Sequence, residues 1–287
     1  ERMKFTAFVL FTILWSTLVY FPVCHWVWGG GWLFKLGALD FAGGTVIHIN
    51  SGAAALVTAL VLGRRKGWGK ESMHPHNLPM TILGAGVLWF GWFGFNAGSA
   101  LSAGPLAALA LFTTQVATGA GAISWVLAEW KIQGKPTTLG AASGAVAGLV
   151  AITPAAGFVN PLAAILIGLV AGALCYLAVL AKKKIGYDDA LDVVAVHGIG
   201  GLWGALATGL FASTAANPAG VNGLFYGNPH QFVVQAIGAG SAIVYSMIVS
   251  FIILKVVGLM VGGLRAETED EVQGLDVAEH REVGYTM

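Results

Sequence analysis

Two histidines lie inside long apolar stretches of the sequence, where an ionisable side chain is costly and marks a candidate functional site. They are His48 and His197. Two neutral imidazoles can share a hydrogen bond, because a ring nitrogen of one donates and a ring nitrogen of the other accepts. Such a pair suits a polar substrate that itself donates and accepts hydrogen bonds. Either histidine alone could instead be a packing residue bonded to a backbone carbonyl.

The stretches that must position these histidines are too apolar for a soluble protein. Hydrophobic residues make up 56% of the 287 residues and charged residues 10%, and the mean hydropathy is +0.76. Ordinary soluble domains have roughly 45–50% hydrophobic residues and about 25% charged residues. So few charges could not cover a water-exposed surface. The composition indicates an integral membrane protein and excludes a disordered chain, a nucleic-acid binder and a disulfide-stapled secreted domain.

Eight apolar windows are long enough to cross a hydrocarbon core about 30 Å thick, which takes about 20 residues of helix. We predict spans at Phe5 to Val23, Phe41 to Gly63, Leu78 to Ala100, Pro105 to Ala128, Thr137 to Gly157, Pro161 to Ala181, Leu191 to Ser213, and Phe232 to Gly263. Lys and Arg cluster in alternate loops, which predicts that both termini are cytoplasmic. The expected fold is an all-α polytopic membrane protein.

The two histidines are expected to meet near the middle of the membrane. At 1.5 Å of helical rise per residue, His48 lies about 12 Å from Asp40 and His197 about 9 Å from Leu191. The two helices enter from opposite sides and run in opposite directions, which is typical of an inverted repeat. A glycine follows each histidine four residues later, at Gly52 and Gly201.

Three aspartates precede the histidine-bearing spans. We expect Asp40 to cap the first amide groups of its helix. A carboxylate fixed there would also attract cations that approach from outside. Asp189 and Asp192 are expected to act in the same way at the other span, first as helix caps and second through the electrostatics of the inner entrance.

Aromatic residues form the other notable cluster. Trp28 lies beside a run of three glycines, and Trp92 and Phe95 belong to an aromatic group at the outer end of the third span. An interfacial aromatic belt explains most of these residues. Trp28 and Phe95 are the candidates for holding a small cation by cation–π attraction, which is worth about 0.5–2 kcal/mol.

Two other kinds of chemistry were considered. A metal bound by the histidine pair would need further ligands, and the sequence has no His-Glu-x-x-His or Cys-x-x-Cys motif to supply them. An enzyme would need a nucleophile or a phosphate loop, and neither the Gly-x-Ser-x-Gly pattern nor a phosphate loop occurs. We therefore expect no metal or other cofactor, and a histidine-dependent membrane enzyme is the weaker hypothesis.

Several longer motifs resemble the ammonium transporter family (Amt, related to the Mep and Rhesus proteins), especially its bacterial and archaeal members. The matching segments are Gly37 to Gly44 through His48, Pro75 to Pro79, Gly91 to Ser99, Gly134 to Thr137, and Asp192 to Gly198. The resemblance implies a homotrimer with one hydrophobic pore per subunit. It also implies eleven spans, a five-plus-five inverted repeat and a final long helix, of which this sequence matches spans four to eleven. We accordingly expect the first three spans, and the first gate phenylalanine, to be missing from it.

The resemblance also implies roles for individual residues. These are His48 and His197 as the twin pore histidines, Trp28 and Ser99 in the outer ammonium site, Phe95 as the second gate phenylalanine, and Asp40 as the acidic residue near that site. Ammonium would be captured at this site, and ammonia would cross the apolar pore with or without a separately carried proton. An ammonium sensor on the same scaffold is the alternative.

The resemblance and the charge pattern divide the chain into two parts. Residues 1–265 form the expected transmembrane domain, and residues 266–287 form an acidic cytoplasmic tail, with seven acids and one base, Arg281, in the last 21 residues. We expect this tail to be solvated and open to a partner, and the family resemblance implies a PII-type regulatory protein. Arg281 stands where the family usually has glycine. The expected location is the cell membrane, plasma or inner, with the C-terminus in the cytoplasm.

Overall fold

A computed structural model describes residues 1–285, and in this part of the chain all regular secondary structure is helical apart from one isolated β-bridge. The helices are α1 (residues 5–28), α2 (Trp32–Leu36), α3 (Gly44–Leu62), α4 (Leu78–Gly98), α5 (Pro105–Gln133), α6 (Thr138–Ile152), α7 (Pro161–Ile185), α8 (Val194–Phe211), α9 (Pro229–Met260), α10 (Thr268–Gln273) and α11 (Leu275–His280). The predicted all-α polytopic class is confirmed.

Seven segments of the described chain are long and apolar enough to cross a membrane, and they correspond to seven of the eight predicted spans. The remaining predicted span, Thr137 to Gly157, corresponds to α6, an apolar helix of 15 residues that ends earlier than predicted. It ends at Ile152, with Thr153 as its C-cap, because Pro154 has no N–H and cannot continue the helix. The last of the seven long apolar segments, α9, has 32 residues and is long enough to tilt or to project past the bilayer.

Small residues hold the bundle together. Helices α5, α6 and α7 pack on a core of alanines that includes Ala117, Ala151 and Ala164, all fully buried. Small side chains let helix backbones approach closely, which replaces the hydrophobic driving force that a lipid environment lacks. This packing fixes α6, whose C-terminal end reaches the histidine pair.

Basic side chains gather at one end of the bundle, which we call the basic end and define by Arg2, Arg65, Lys182 and Arg265. Arg2 donates to the backbone carbonyl of Asp188 at 2.7 Å, and Lys182 donates to the carbonyl of Asp189 at 2.7 Å. Arg265 donates to the carbonyl of Leu62, the last residue of α3, at 3.0 Å. Helix α3 therefore ends where α8 begins, and the two run in opposite directions as predicted.

Asp188 connects the helices at the basic end. Its carboxylate is buried and accepts two hydrogen bonds from the Arg65 guanidinium, at 2.9 and 2.7 Å, and one from the Arg65 backbone at 2.7 Å. Burial alone would raise the pKa of the Asp188 carboxyl, but these bonds from Arg65 outweigh it and hold the pKa below its usual range. The ion pair is therefore intact at neutral pH.

The acidic tail is partly folded against the basic end, so the expectation of a fully solvated tail is wrong for Glu271. That carboxylate pairs with Arg265, with nitrogen–oxygen distances of 2.7 to 3.0 Å, and accepts the backbone N–H of Lys66 at 3.0 Å. Arg281 adopts a left-handed conformation with φ +56°, which suits glycine better than arginine. Of the predicted tail, residues 286–287 lie outside the described residues.

Candidate functional site

The structure brings the two histidines into direct contact. Nδ1 of His48 lies 3.1 Å from Nδ1 of His197. His48 is buried, with 2% of its surface exposed, and His197 is partly buried. The two rings come from antiparallel helices, and each enters the contact from its own side of the bundle. The two histidines therefore meet, as expected from the helical rise, and their depth in the membrane stays a prediction.

Both histidines lie in π-helical turns at the start of their helices. His48 is in the π-helical segment Gly44–Ile49 of α3, and His197 is in Val194–Ile199 of α8. A π turn inserts an extra residue into the helical repeat and is common at functional sites. In both helices the wide turn directs the imidazole towards the other helix. The matching irregularity supports the inverted repeat predicted from the sequence.

Asp40 holds the start of α3 in place. Oδ1 accepts the N–H groups of Gly43 and Gly44 at 2.8 and 2.6 Å, and Oδ2 accepts those of Thr45 and Val46 at 2.8 and 3.0 Å. This is the capping role expected for Asp40. A π turn leaves several first amides without a partner, and one buried carboxylate satisfies four of them.

The two aspartates before α8 have different roles. Oδ2 of Asp189 accepts the N–H of Val194 at 2.7 Å, as expected of a cap. Asp192 does not cap the helix as predicted. Its carboxylate pairs with Lys182 of α7, and its backbone is left-handed at φ +56°. The lysine lies in the last turn of α7 and binds this carboxylate, a contact between two elements that the spacing of a helix cap does not reveal.

The glycine after each histidine packs against the opposite histidine-bearing turn. A Cβ added to Gly52 would overlap the backbone N and Cα of Gly198, next to His197. A Cβ added to Gly201 would lie 2.8 Å from Cβ of His48. Only glycine allows the two helices to cross this closely. The reciprocal contacts explain why a glycine follows each histidine at the same spacing.

A third polar group completes the histidine site. The hydroxyl oxygen of Thr153, at the end of α6, lies 3.3 Å from Nε2 of His48 and accepts Nε1–H of Trp92 at 2.9 Å. Trp92 also stacks on the His48 ring, with ring centroids 5.3 Å apart. It is buried, with 6% exposed, so its assignment to an interfacial aromatic belt is wrong. Thr153 was not among the predicted site residues, although a threonine directly before a proline at a helix end is a usable signal in the sequence.

The aromatic residues expected near the outer site lie close to the start of α3, at the end of this helix away from the basic end. Nε1 of Trp28 donates to the carbonyl of Asp40 at 2.7 Å, which ties this indole to the start of α3. Trp28 is the last residue of α1 and lies directly before the run of three glycines. Trp28 is 39% exposed as a residue and Phe95 38% exposed, so a ligand can reach both residues.

Phe95 connects this region to the histidine pair. Its ring centroid lies 6.1 Å from that of His48 and 5.4 Å from that of Trp92. Ser99, one turn further along α4, donates its hydroxyl proton to the Phe95 carbonyl at 2.8 Å, which leaves the hydroxyl oxygen as an acceptor. Helix α4 thus carries a short series of groups from an exposed hydroxyl to a buried indole beside the histidines.

Comparison with known proteins places the chain among transporters. The sequence profile described as "Ammonium Transporter Family" matches residues 1–285. An ammonium transporter of Bacillus subtilis (strain 168) is 56% identical over 286 residues, which are 99% of this chain and 70% of that protein. Ammonium transporter Amt1 of Archaeoglobus fulgidus is 51% identical over 286 residues, which are 100% of this chain and 72% of that protein.

Solved structures agree with the sequence matches. The crystal structure of Saccharomyces cerevisiae Mep2 has a TM-score of 0.88 and 38% identity, over 93% of this chain and 64% of that one. A structure named "Sensor Amt Protein" has a TM-score of 0.89 and 32% identity, over 98% of this chain and 71% of that one. The chain thus spans about two thirds of the length of these proteins.

Proposed function

Because the chain belongs to the ammonium transporter family, we propose that it carries ammonium or ammonia across a membrane along a path that passes the His48–His197 pair. The resemblance seen in the sequence is confirmed by these relatives. The chain is a multi-pass membrane protein of a transporter family, which excludes the hypothesis of a membrane enzyme. The observation that carries the proposal is the 3.1 Å contact between the two histidines, held between antiparallel helices.

The energetics favour passage of the neutral molecule. A bare charge at the bilayer centre costs at least about 2.5–3.5 kcal/mol. The two oxygens of Asp40 are engaged by four backbone amides at the start of α3, so they are not available as direct ligands for a cation at the pair. Ammonium would therefore lose its proton before the apolar section. The hydrogen-bonded pair of His48 and His197 would then bind ammonia through a free ring nitrogen, and could pass the proton on separately.

Capture of the cation is assigned to the outer site predicted from the sequence. Trp28 and Phe95 each present an exposed ring face, and the Ser99 hydroxyl oxygen can accept an N–H from ammonium. Cation–π attraction of about 0.5–2 kcal/mol suits a site that must also release its ligand. The start of α3, which Asp40 caps, lies beside Trp28. Trp28, Phe95 and Ser99 would therefore select the ion before it reaches the histidines.

The histidine pair is tested by removing each ring in turn. We expect His48→Ala or His197→Ala to change ammonium flux by about tenfold or more and to weaken discrimination against potassium, since each removes one half of the only hydrogen-bonded pair proposed for the path. Both variants should remain folded. Flux and selectivity would be measured in proteoliposomes, with the exposed His230→Ala as a matched control. Unchanged flux and unchanged selectivity in both variants would refute the role.

A sensor is the second candidate function, favoured by the structural match to the protein named "Sensor Amt Protein". A sensor of this kind would bind ammonium at the same outer site without sustained flux. Ammonium binding accompanied by no saturable flux would favour it. The same experiment therefore separates the two functions.

The orientation and the assembly follow from the basic end and the family. We assign residues 1–265 to the membrane domain and residues 266–287 to a cytoplasmic tail, because the short basic loops gather at the end where the tail lies. The protein would be a homotrimer in the cell membrane, with its C-terminus in the cytoplasm. Lipid surrounds the apolar outer faces in this arrangement.

The tail is proposed to bind a PII-type regulatory protein. Glu271 anchors its first part to Arg265, whereas Glu279 and Glu282 are exposed and free to meet a partner. We expect removal of residues 274–287 to abolish binding of a PII-type protein in a pull-down, while ammonium flux is retained. Glu271→Gln, which loosens only the anchor, is the control and should keep part of the binding. Full binding by the truncated chain would refute the proposal.

A further inference from the structure

The end of α6 leaves one buried carbonyl without its usual helical donor. In a regular helix the N–H of Thr153 would bond to the carbonyl of Leu149, and that of residue 154 to the carbonyl of Val150. Residue 154 is proline and has no N–H, and the N–H of Thr153 bonds to Val150 instead, at 3.2 Å. The Thr153 hydroxyl donates to the fully buried Leu149 carbonyl at 2.7 Å. Its single proton is therefore already used.

The oxygen of Thr153 can act towards its other neighbours only as an acceptor. An indole N–H has no lone pair to offer and can only donate, so Trp92 donates to this oxygen at 2.9 Å. Nε2 of His48 lies 3.3 Å from the same oxygen. If Nε2 carried a lone pair instead of a proton, two acceptors would face each other in a buried site, at a cost of an unmade hydrogen bond. His48 must therefore carry its proton on Nε2.

The proton position on His48 then determines that on His197. A neutral His48 protonated on Nε2 presents a lone pair at Nδ1, which faces Nδ1 of His197 at 3.1 Å. His197 must donate across this contact, and a neutral ring that is protonated on Nδ1 keeps a lone pair on Nε2. The polarity runs in one direction from His197 through His48 to Thr153.

We propose that Thr153 is a positioning residue that fixes the tautomers of both histidines, so that Nε2 of His197 is the open acceptor of the pair. This proposal rests on the proposed function for its consequence: a substrate N–H would donate to His197, and Nε2 of His48 would be occupied by Thr153. Trp92 contributes by holding the same oxygen and by stacking on the His48 ring.

The direct test is the ¹⁵N chemical shift of the ring nitrogens in the 287-residue chain, reconstituted in lipid at a pH where both rings are neutral. Signals would be assigned by removing each of the seven histidines in turn. We expect a protonated Nε2 on His48 and a protonated Nδ1 on His197. A protonated Nδ1 on His48, or a protonated Nε2 on His197, in the unsubstituted chain would overturn the proposal.

A substitution series tests the role of the hydroxyl. Thr153→Val keeps the shape and removes the hydroxyl with its three contacts. We expect mixed tautomers on both rings and a loss of ammonium flux of about tenfold, which corresponds to about 1.4 kcal/mol for the lost hydrogen bond to His48. Thr153→Ser restores the hydroxyl and should restore both the wild-type tautomers and the ammonium flux. Thr118→Val is the matched control, because Thr118 is equally buried and donates to a carbonyl four residues earlier without touching the histidines.

The outcomes separate this proposal from the proposed function. Wild-type tautomers with no preference, or a Thr153→Val variant that keeps the wild-type tautomers, would contradict the positioning role even if transport is normal. If the valine variant does not fold, the ring shifts of the unsubstituted chain still decide. Absence of ammonium flux in the unsubstituted chain would contradict the function alone, since the tautomers are read without transport.

Discussion

Replacing Asp40 with alanine should abolish ammonium transport and lower the free energy of unfolding by at least about 3 kcal/mol. The carboxylate is 7% exposed and accepts four backbone N–H groups at 2.6–3.0 Å. Each buried donor left unsatisfied costs about 1–3 kcal/mol, with partial relief from repacking or water. Without these bonds the π turn that carries His48 loses its anchor. Thermal melting and size-exclusion chromatography in detergent would measure the stability, and flux in proteoliposomes the transport.

Two further variants sharpen this expectation. Asp40→Asn keeps one acceptor oxygen but turns an N–H₂ group towards amide donors, so it should lie between wild type and Asp40→Ala. Asp276→Ala removes an exposed aspartate near the start of the short tail helix α11 and should leave both melting and flux unchanged. A melting temperature of Asp40→Ala equal to that of wild type would show that the four bonds do not stabilise the helix.

Replacing Gly52 with alanine should reduce transport by about a hundredfold. Its added methyl group would overlap the backbone of Gly198, which is not a flexible side chain that can move aside. The two histidine-bearing turns must then separate, and a misplacement of about 1 Å at a reacting pair costs about a hundredfold in rate. Overpacking should also cost about 1–3 kcal/mol of stability.

The contrast with other glycines isolates the crossing point. Gly201→Ala should behave like Gly52→Ala but less severely, because the new Cβ would meet Cβ of His48 at 2.8 Å. Gly240→Ala lies in α9, where an added Cβ meets no atom within 4 Å in the described structure, and should be neutral or slightly stabilising. Wild-type flux in Gly52→Ala would contradict the close crossing of α3 and α8.

The sequence predicted those features that depend on local spacing. The helical rise and the alternation of basic loops were enough to predict that His48 and His197 meet, on helices that run in opposite directions. The cap at Asp40 followed from its position before an apolar run. Each of these inferences uses residues within one helix or its flanks, where geometry is nearly fixed by the sequence.

Side-chain contacts between different secondary-structure elements could not be predicted in the same way. Asp192 pairs with Lys182, Trp92 turns inward to Thr153, and Glu271 pairs with Arg265. The membrane-spanning helices are apolar on most of their surface, so amphipathic patterning does not reveal which face is buried. The burial of aromatic residues is the hardest to predict, because a buried tryptophan and an interfacial one have the same sequence surroundings.

The most direct test of the account is ammonium transport by the 287-residue chain in proteoliposomes, recorded as the current after an ammonium jump together with the internal pH. Potassium jumps and empty vesicles serve as controls. We expect a saturable response to ammonium that potassium does not produce; a current would mean that the charge crosses, and a pH change without current that ammonia alone does. Neither a current nor a pH change beyond that of empty vesicles would contradict transport by this chain.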